Sequence, residues 1–451
     1  MPAFVLKKIP VLSAAIIAAS LITACGKGSG NSRPGASGLS SRLVTSQSVF
    51  TPAASPGLVI INGENDTVPR AAEISAGTSP GLMAISPDRA TLLSFDSSSN
   101  SVDVINTARE SQTGSIPLSA PTISMAVTSA TNGYAAVSAA PLIGLPTGGI
   151  VAMNLGSPSV YATISVPNAQ MVVASPNGNQ LLVFSDDDLA GTVTVVFPQL
   201  INSGTSPSCA PVTIPPTVVC TISGFDQPAY AVFSADGSTA YVLNCGPECG
   251  GNTASIQVVD MSTLALVGPP IPVDGATIGW LSETTLYVAG TPTASATNST
   301  PDNSCAGETT AATICGRVDV INVATTPPTV TSSAVITNGY HNRITMSVNG
   351  QVFVGSYDCT NIGDVNNPIG EVRGCLSIYN STSGAVVIPP DNGDVTGLQA
   401  LTSRYVVYVA EGGNLRVYDA LTDSLLLDQY ISTGTIEISG QLIDVKAIDF
   451  F

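Results

Sequence analysis

Along most of the chain, short apolar stretches alternate with polar turns, and no long stripe of helical period separates them. Met83-Ala84-Ile85 runs into the turn Ser86-Pro87-Asp88 and is followed by Thr91-Leu92-Leu93-Ser94-Phe95. After a second polar turn comes the alternating segment Ser101-Val102-Asp103-Val104-Ile105-Asn106-Thr107. Apolar runs of this length, bounded by Pro, Asp, Asn, Gly and Ser, predict strands joined by tight turns.

The same order returns at Val172-Val173-Ala174-Ser175-Pro176-Asn177-Gly178, with Gln180-Leu181-Leu182-Val183-Phe184 and Thr192-Val193-Thr194-Val195-Val196 behind it. It returns again at Ala231-Val232-Phe233-Ser234-Ala235-Asp236-Gly237, Ala240-Tyr241-Val242-Leu243-Asn244 and Ser255-Ile256-Gln257-Val258-Val259-Asp260. Weaker copies start near Ser124, Ile278, Ile344 and Leu398. A period of about 40–60 residues suits a four-stranded propeller blade. Seven internal copies and one blade shared between the termini predict an all-β propeller of eight blades, with seven blades the alternative. For the shared blade, Leu58–Asn62 and 71–75 align with a third and a fourth strand. The segments 435–438 and 442–445 are expected to supply its first and second.

Ser-Ala-Asp-Gly at 234–237, Ala-Tyr-Val-Leu-Asn at 240–244 and Ile-Gln-Val-Val-Asp at 256–260 resemble the YVTN-type β-propeller repeat. The resemblance extends in pattern over residues 57–451 and decays elsewhere to Leu286-Tyr287-Val288-Ala289, Val352-Phe353-Val354-Gly355 and Val407-Tyr408-Val409-Ala410. It implies the ring architecture and carries little chemistry.

The N-terminus breaks the pattern. The first 25 residues hold two bases, Lys7 and Lys8, and no acid, and 9–24 are mostly apolar. That run is too short for a stable membrane span. It ends in Leu21-Ile22-Thr23-Ala24-Cys25, which resembles the lipobox of bacterial lipoproteins. The resemblance implies cleavage before Cys25 and lipidation of its thiol. Residues 1–25 are thus read as a lipoprotein signal peptide, 26–56 as a flexible Gly/Ser/Pro tether and 57–451 as the propeller. A tether of that length would reach roughly 30 Å. Gly26 after the lipidated cysteine favours the outer membrane, with the protein facing the periplasm or the cell surface.

Removing Cys25 from the nine cysteines leaves an even set: Cys209, Cys220, Cys245, Cys249, Cys305, Cys315, Cys359 and Cys375. They fall into close sequential pairs, predicting Cys209–Cys220, Cys245–Cys249, Cys305–Cys315 and Cys359–Cys375, as expected of an oxidising compartment. Three of these pairs lie in connections between second and third strands, which open on one face of a propeller. There is no C-x-x-C and a single histidine, so a zinc site is disfavoured. A net charge of −17 repels phosphate backbones and argues against nucleic acid as a partner.

Chemistry-bearing residues are sparse. His341 is the only imidazole, and with Arg343 it is the weak candidate for catalysis, placed at a channel mouth or in a surface loop. Asp186, Asp187 and Asp188 form a weak calcium candidate. Asp358, Asp364 and Glu371, in or beside a stapled loop, form another, although neither group has the spacing of a calcium loop. Gly77-Thr78-Ser79-Pro80-Gly81 matches G-x-S-x-G but is expected between two strands, where a nucleophile elbow needs a strand-to-helix turn. Trp280, the sole tryptophan, is read as core packing.

These features predict a monomeric ring tethered to the membrane through the lipid on Cys25. It would act as a binding or scaffold module whose stapled face meets an envelope protein or a glycan. No cofactor is implied. The alternative is a lactonase-like propeller hydrolase with its site at the central channel. A quinone- or haem-linked dehydrogenase is set aside because C-x-x-C-H is missing.

Overall fold

The computed structural model describes residues 37–48, 57–69, 73–138, 148–185, 191–201, 203, 218–292, 315–359, 375–389, 393–427, 432–438 and 440–449. Cys25 and the rest of the signal region, Asp186, Asp187 and Asp188, Cys209, Cys305, Asp364 and Glu371 lie outside them.

Eight antiparallel sheets stand around a ring, making an eight-bladed β-propeller. Seven are continuous in sequence and span 80–117, 122–165, 169–223, 228–272, 278–336, 340–387 and 395–436; they are called the first to the seventh blade. Within each, the first strand is innermost and contacts the first strands of its neighbours. Burial follows radial position. In the first blade, the second strand Thr91–Asp96 is buried at every residue, because blades cover both of its faces. The fourth strand Ser111–Pro117 is exposed at most positions. This explains why second strands read as unbroken apolar runs while outer strands are Ser/Thr-rich.

The repeat signature is turn chemistry. The Ser86 hydroxyl donates to Asp88 Oδ1 (2.6 Å) and accepts from the Thr91 amide (3.0 Å), which closes the first hairpin. Ser175 with Asn177, Ser234 with Asp236 and Ser347 with Asn349 repeat the device at 2.6–2.8 Å. Gly178, Gly237 and Gly350 follow at φ of 70°, 72° and 86°, where a side chain would strain the backbone. The Asn or Asp that ends the third strand caps the next turn in the same way. Asn106 Oδ1 accepts from the Arg109 amide, and Asp260 Oδ1 from the Ser262 amide.

Ring closure differs from expectation. Leu58–Asn62 and Glu73–Ile74 are the third and fourth strands of the composite blade, as predicted. Its innermost strand, however, is Gln441–Ala447, and its second strand is Arg42–Ser48, from the stretch read as tether. Thr435–Ile436 instead pairs with the third strand of the seventh blade, Leu415 opposite Ile436. The composition of Arg-Leu-Val-Thr-Ser-Gln-Ser suggests a linker, with only two large apolar side chains. Position decides otherwise: the segment has a hydrogen-bonded strand on each side, and Thr45, Ser46 and Gln47 are buried. The ring therefore begins before residue 57.

Two arginine forks clamp this blade to its neighbours. Arg42 holds Asp449 through Nε (2.8 Å) and Nη2 (2.6 Å), while its Nη1 reaches Glu110 (2.7 Å) and the Thr107 carbonyl (2.9 Å) in the first blade. On the other flank, Arg404 of the seventh blade grips both oxygens of Asp66 at 2.7 Å, and the Tyr408 hydroxyl donates to the same carboxylate.

Candidate functional site

In a ring of up-and-down blades, connections from second to third strand and from blade to blade share one face. Two of the predicted disulfides are formed there. Cys245–Cys249 staples the connection of the fourth blade and Cys359–Cys375 that of the sixth, each with Cα atoms 5.6 Å apart. Cys315, just before the third strand of the fifth blade, is also disulfide-bonded, as is Cys220; their predicted partners Cys305 and Cys209 lie outside the described residues.

The Cys245–Cys249 staple folds its loop into a short 3₁₀ turn, Gly246–Cys249. Gly246, at φ 62°, lets the turn lie against the Thr253 and Ala254 backbone. The turn directs Glu248 across to the fifth blade, where Glu248 Oε2 accepts from the Thr291 amide (2.8 Å). The Thr291 hydroxyl in turn donates to the Gly339 carbonyl (2.8 Å), at the entry to the sixth blade. Burial raises the Glu248 carboxyl to about 7, and the single amide bond only partly opposes that.

Next to this chain of contacts, Tyr340 and Tyr357 face each other across the first two strands of the sixth blade, with ring centroids 5.2 Å apart. Burial raises the Tyr357 phenol, and the carboxylates of Asp358, Glu248 and Asp394 add to the shift while Arg343 opposes it. Arg343 is held by backbone carbonyls, with Nε on Thr396 (2.7 Å) and Nη1 on Asn342 (2.9 Å). Asp394 Oδ1 accepts the Asp358 amide at 3.0 Å. One face thus gathers a protonatable carboxyl from the fourth blade, a guanidinium, two phenols and Asp358 from the sixth, and Asp394 at the entry to the seventh. Such an array offers hydrogen-bond donors, acceptors and charge of both signs. Among the described residues, no three His, Cys, Asp or Glu side chains are placed to hold a metal ion.

His341 is neither in a surface loop nor at the channel. It is fully buried between the fifth and sixth blades, Nε2 pairs with the Thr337 carbonyl (2.9 Å), and Nδ1 has no partner among the described residues. Desolvation lowers it to about 4, so the ring is neutral and cannot reach a substrate. The register shift between His341 and Arg343 explains the separation: the bulge turns His341 inward. Arg343 is therefore brought to the candidate face and His341 is not. Gly77–Gly81 links Glu73–Ile74 to the strand Pro80–Ile85 with no helix behind it. Trp280 also departs from expectation. It is 37 % exposed on an innermost strand, beside Tyr230 and Phe233 in a cavity of about 380 Å³.

Sequence reasoning missed Glu248 and Tyr357. The stapled position of Glu248 between two cysteines was a usable signal. Its burial depends on a blade that begins about thirty residues later.

No protein-family model matches the chain, and no curated protein matches it. Solved structures do, at low identity. The dihydro-haem d1 dehydrogenase NirN in complex with DHE aligns at a TM-score of 0.59 and 13% identity, over 93% of this chain and 77% of that one. A provisionally assigned 6-phosphogluconolactonase from Bacteroides fragilis NCTC 9343 aligns at 0.50 and 11% identity, over 91% and 98%. A functionally unknown protein from Desulfotomaculum acetoxidans DSM 771 aligns at 0.48 and 14% identity, over 78% and 99%. At these identities the first two likenesses bear on the fold alone, and they agree with the propeller seen here.

Proposed function

We propose that this protein is an exported lipoprotein, anchored through Cys25, whose eight-bladed ring serves as a binding or scaffold module for an envelope partner. The observation that carries this reading is the grouping of two disulfide-stapled connections with Glu248, Tyr340, Tyr357 and Arg343 on one face. Staples lower the conformational entropy that loops lose on binding. Loops on a rigid ring are where such folds place recognition. Disulfides also fit an oxidising compartment, as an exported chain requires. The hydrolase alternative would need a base at the channel, and burial removes His341 from that role.

Two measurements test the proposal. Labelled palmitate should be incorporated by the full chain and not by Cys25→Ser; incorporation by both, or by neither, overturns the anchor. Cross-linking in intact envelopes should recover the same partner reproducibly with the wild type and lose it with Arg343→Ala and Tyr357→Ala. Equal recovery by the variants moves the partner off this face.

A further inference from the structure

We propose that the face opposite the staples carries a second, separate site, a cleft between the second and third blades that binds a neutral saccharide. The cleft, broadly open to solvent, offers about 680 Å³ and is formed where the hairpin and third-to-fourth-strand turns of the two blades meet. That is ample space for several sugar rings by the usual scale of small-molecule pockets.

Its lining is the argument. Among the described residues that line it, none carries a charged side chain; amides, hydroxyls and two phenols supply the polarity. An anionic ligand would find no cation there and would meet the field of a chain with net charge −17. A cationic ligand would find no carboxylate. A polyhydroxylated neutral ligand needs donors and acceptors at close spacing, which a side-chain amide provides in one group.

Two of these amides are already oriented. Asn154 Oδ1 accepts the Ser157 amide (3.1 Å). Asn177 Oδ1 accepts the Ser175 hydroxyl (2.8 Å) and the Asn179 amide (3.0 Å). With each oxygen tied into its own turn, the plane of the amide is fixed before any ligand arrives. The side chains of Asn132, Asn179 and Gln199 line the same cleft and add acceptors as well as donors. The Tyr134 and Tyr161 hydroxyls pair at 3.0 Å, which fixes the half-buried Tyr161 ring against the cleft, where its apolar face can meet sugar C–H groups. The turn device that builds the blades thus also pre-organises two of the lining amides, which limits the entropy lost when a ligand binds.

The inference is independent of the stapled face, and the experiment keeps the two apart. The lipid-free ring is titrated calorimetrically with cellotetraose, maltotetraose and chitotetraose, and with trigalacturonate as the charged counterpart. At least one neutral tetrasaccharide should bind with a sub-millimolar Kd, and trigalacturonate should not. The double variant Asn179→Ala/Gln199→Ala, in exposed turns, should weaken that binding tenfold or more while unfolding at the wild-type temperature. Arg343→Ala, on the other face, should leave it unchanged. The proposal is overturned if no neutral tetrasaccharide binds with a Kd below about 1 mM. It is equally overturned if trigalacturonate binds as well, or if the double variant binds like the wild type.

Discussion

Arg42 and Asp449, 407 residues apart in sequence, meet through three hydrogen bonds, two from the guanidinium and one from the Arg42 backbone amide. The pair joins the second strand of the composite blade to the chain just beyond its innermost strand, and Glu110 extends the contact to the first blade. Arg42 is nearly buried, so its charge depends on these partners. Both carboxylates raise its affinity for a proton.

Removing Arg42 should therefore loosen the closure itself. Arg42→Ala leaves the buried Glu110 carboxylate without its guanidinium partner, a class of change that costs about 3–5 kcal/mol. Chemical denaturation of wild type and variant measures it. A loss below about 1 kcal/mol would show that backbone pairing alone closes the ring.

The opposite flank makes an independent prediction. Asp66→Ala deprives Arg404 and the Tyr408 hydroxyl of their shared acceptor. The expected cost is again several kcal/mol, and it should add to that of Arg42→Ala, since the two clamps share no residue. Thermal unfolding of the double variant checks additivity.

Glu248 should give stability a pH dependence of unusual sign. Its folded value of about 7 lies above the ordinary carboxyl value of 4.5, so the folded protein holds the proton more tightly than the unfolded chain. The contribution is fully present below pH 4.5 and is lost as pH rises through 7. Asp319, raised to about 6 by burial, acts in the same direction. The difference in stability between wild type and Glu248→Gln, followed from pH 4 to 8, isolates the Glu248 part. A difference that does not change with pH would refute it.

His341 acts in the opposite direction. Held near 4 by burial, it stays neutral in the fold while an unfolded imidazole charges near 6.5. Stability should fall as pH drops from 6.5 towards 4, and His341→Leu should flatten that slope. Urea midpoints at pH 4.5, 5.5 and 6.5 measure it. A slope unchanged in the variant would place the charge change elsewhere.

The staples should differ in worth. Cys359–Cys375 closes a separation of 16 residues and Cys245–Cys249 one of only 4. In the chain-entropy account the longer is worth about 3 kcal/mol and the shorter less. Replacing each pair by serines and comparing unfolding free energies tests the order.

The blades were legible because their signals are local. Ser-Pro-Asp and Ser-Ala-Asp-Gly turns hydrogen-bond within themselves, and second strands bury both faces, so serine spacing and apolar runs both survive in the linear pattern. Arg42–Ser48 was not legible: its seven residues carry no apolar alternation, and what orders them is the pair of flanking strands, Leu58–Asn62 and Gln441–Ala447. His341 shows the same limit at the scale of one residue. Its neighbours Tyr340 and Arg343 reach the stapled face while a single bulge sends the imidazole into the core.

The sequence by itself determined the repeat, the strand order within each internal blade and the nearness of the paired cysteines, because each depends on residues a few positions apart. Only the tertiary structure decided which strands close the ring, that half-buried Glu248 holds its proton tightly and that fully buried His341 stays neutral. Those outcomes depend on what a neighbouring blade places beside each residue, and burial next to a distant segment leaves no mark in the residues nearby.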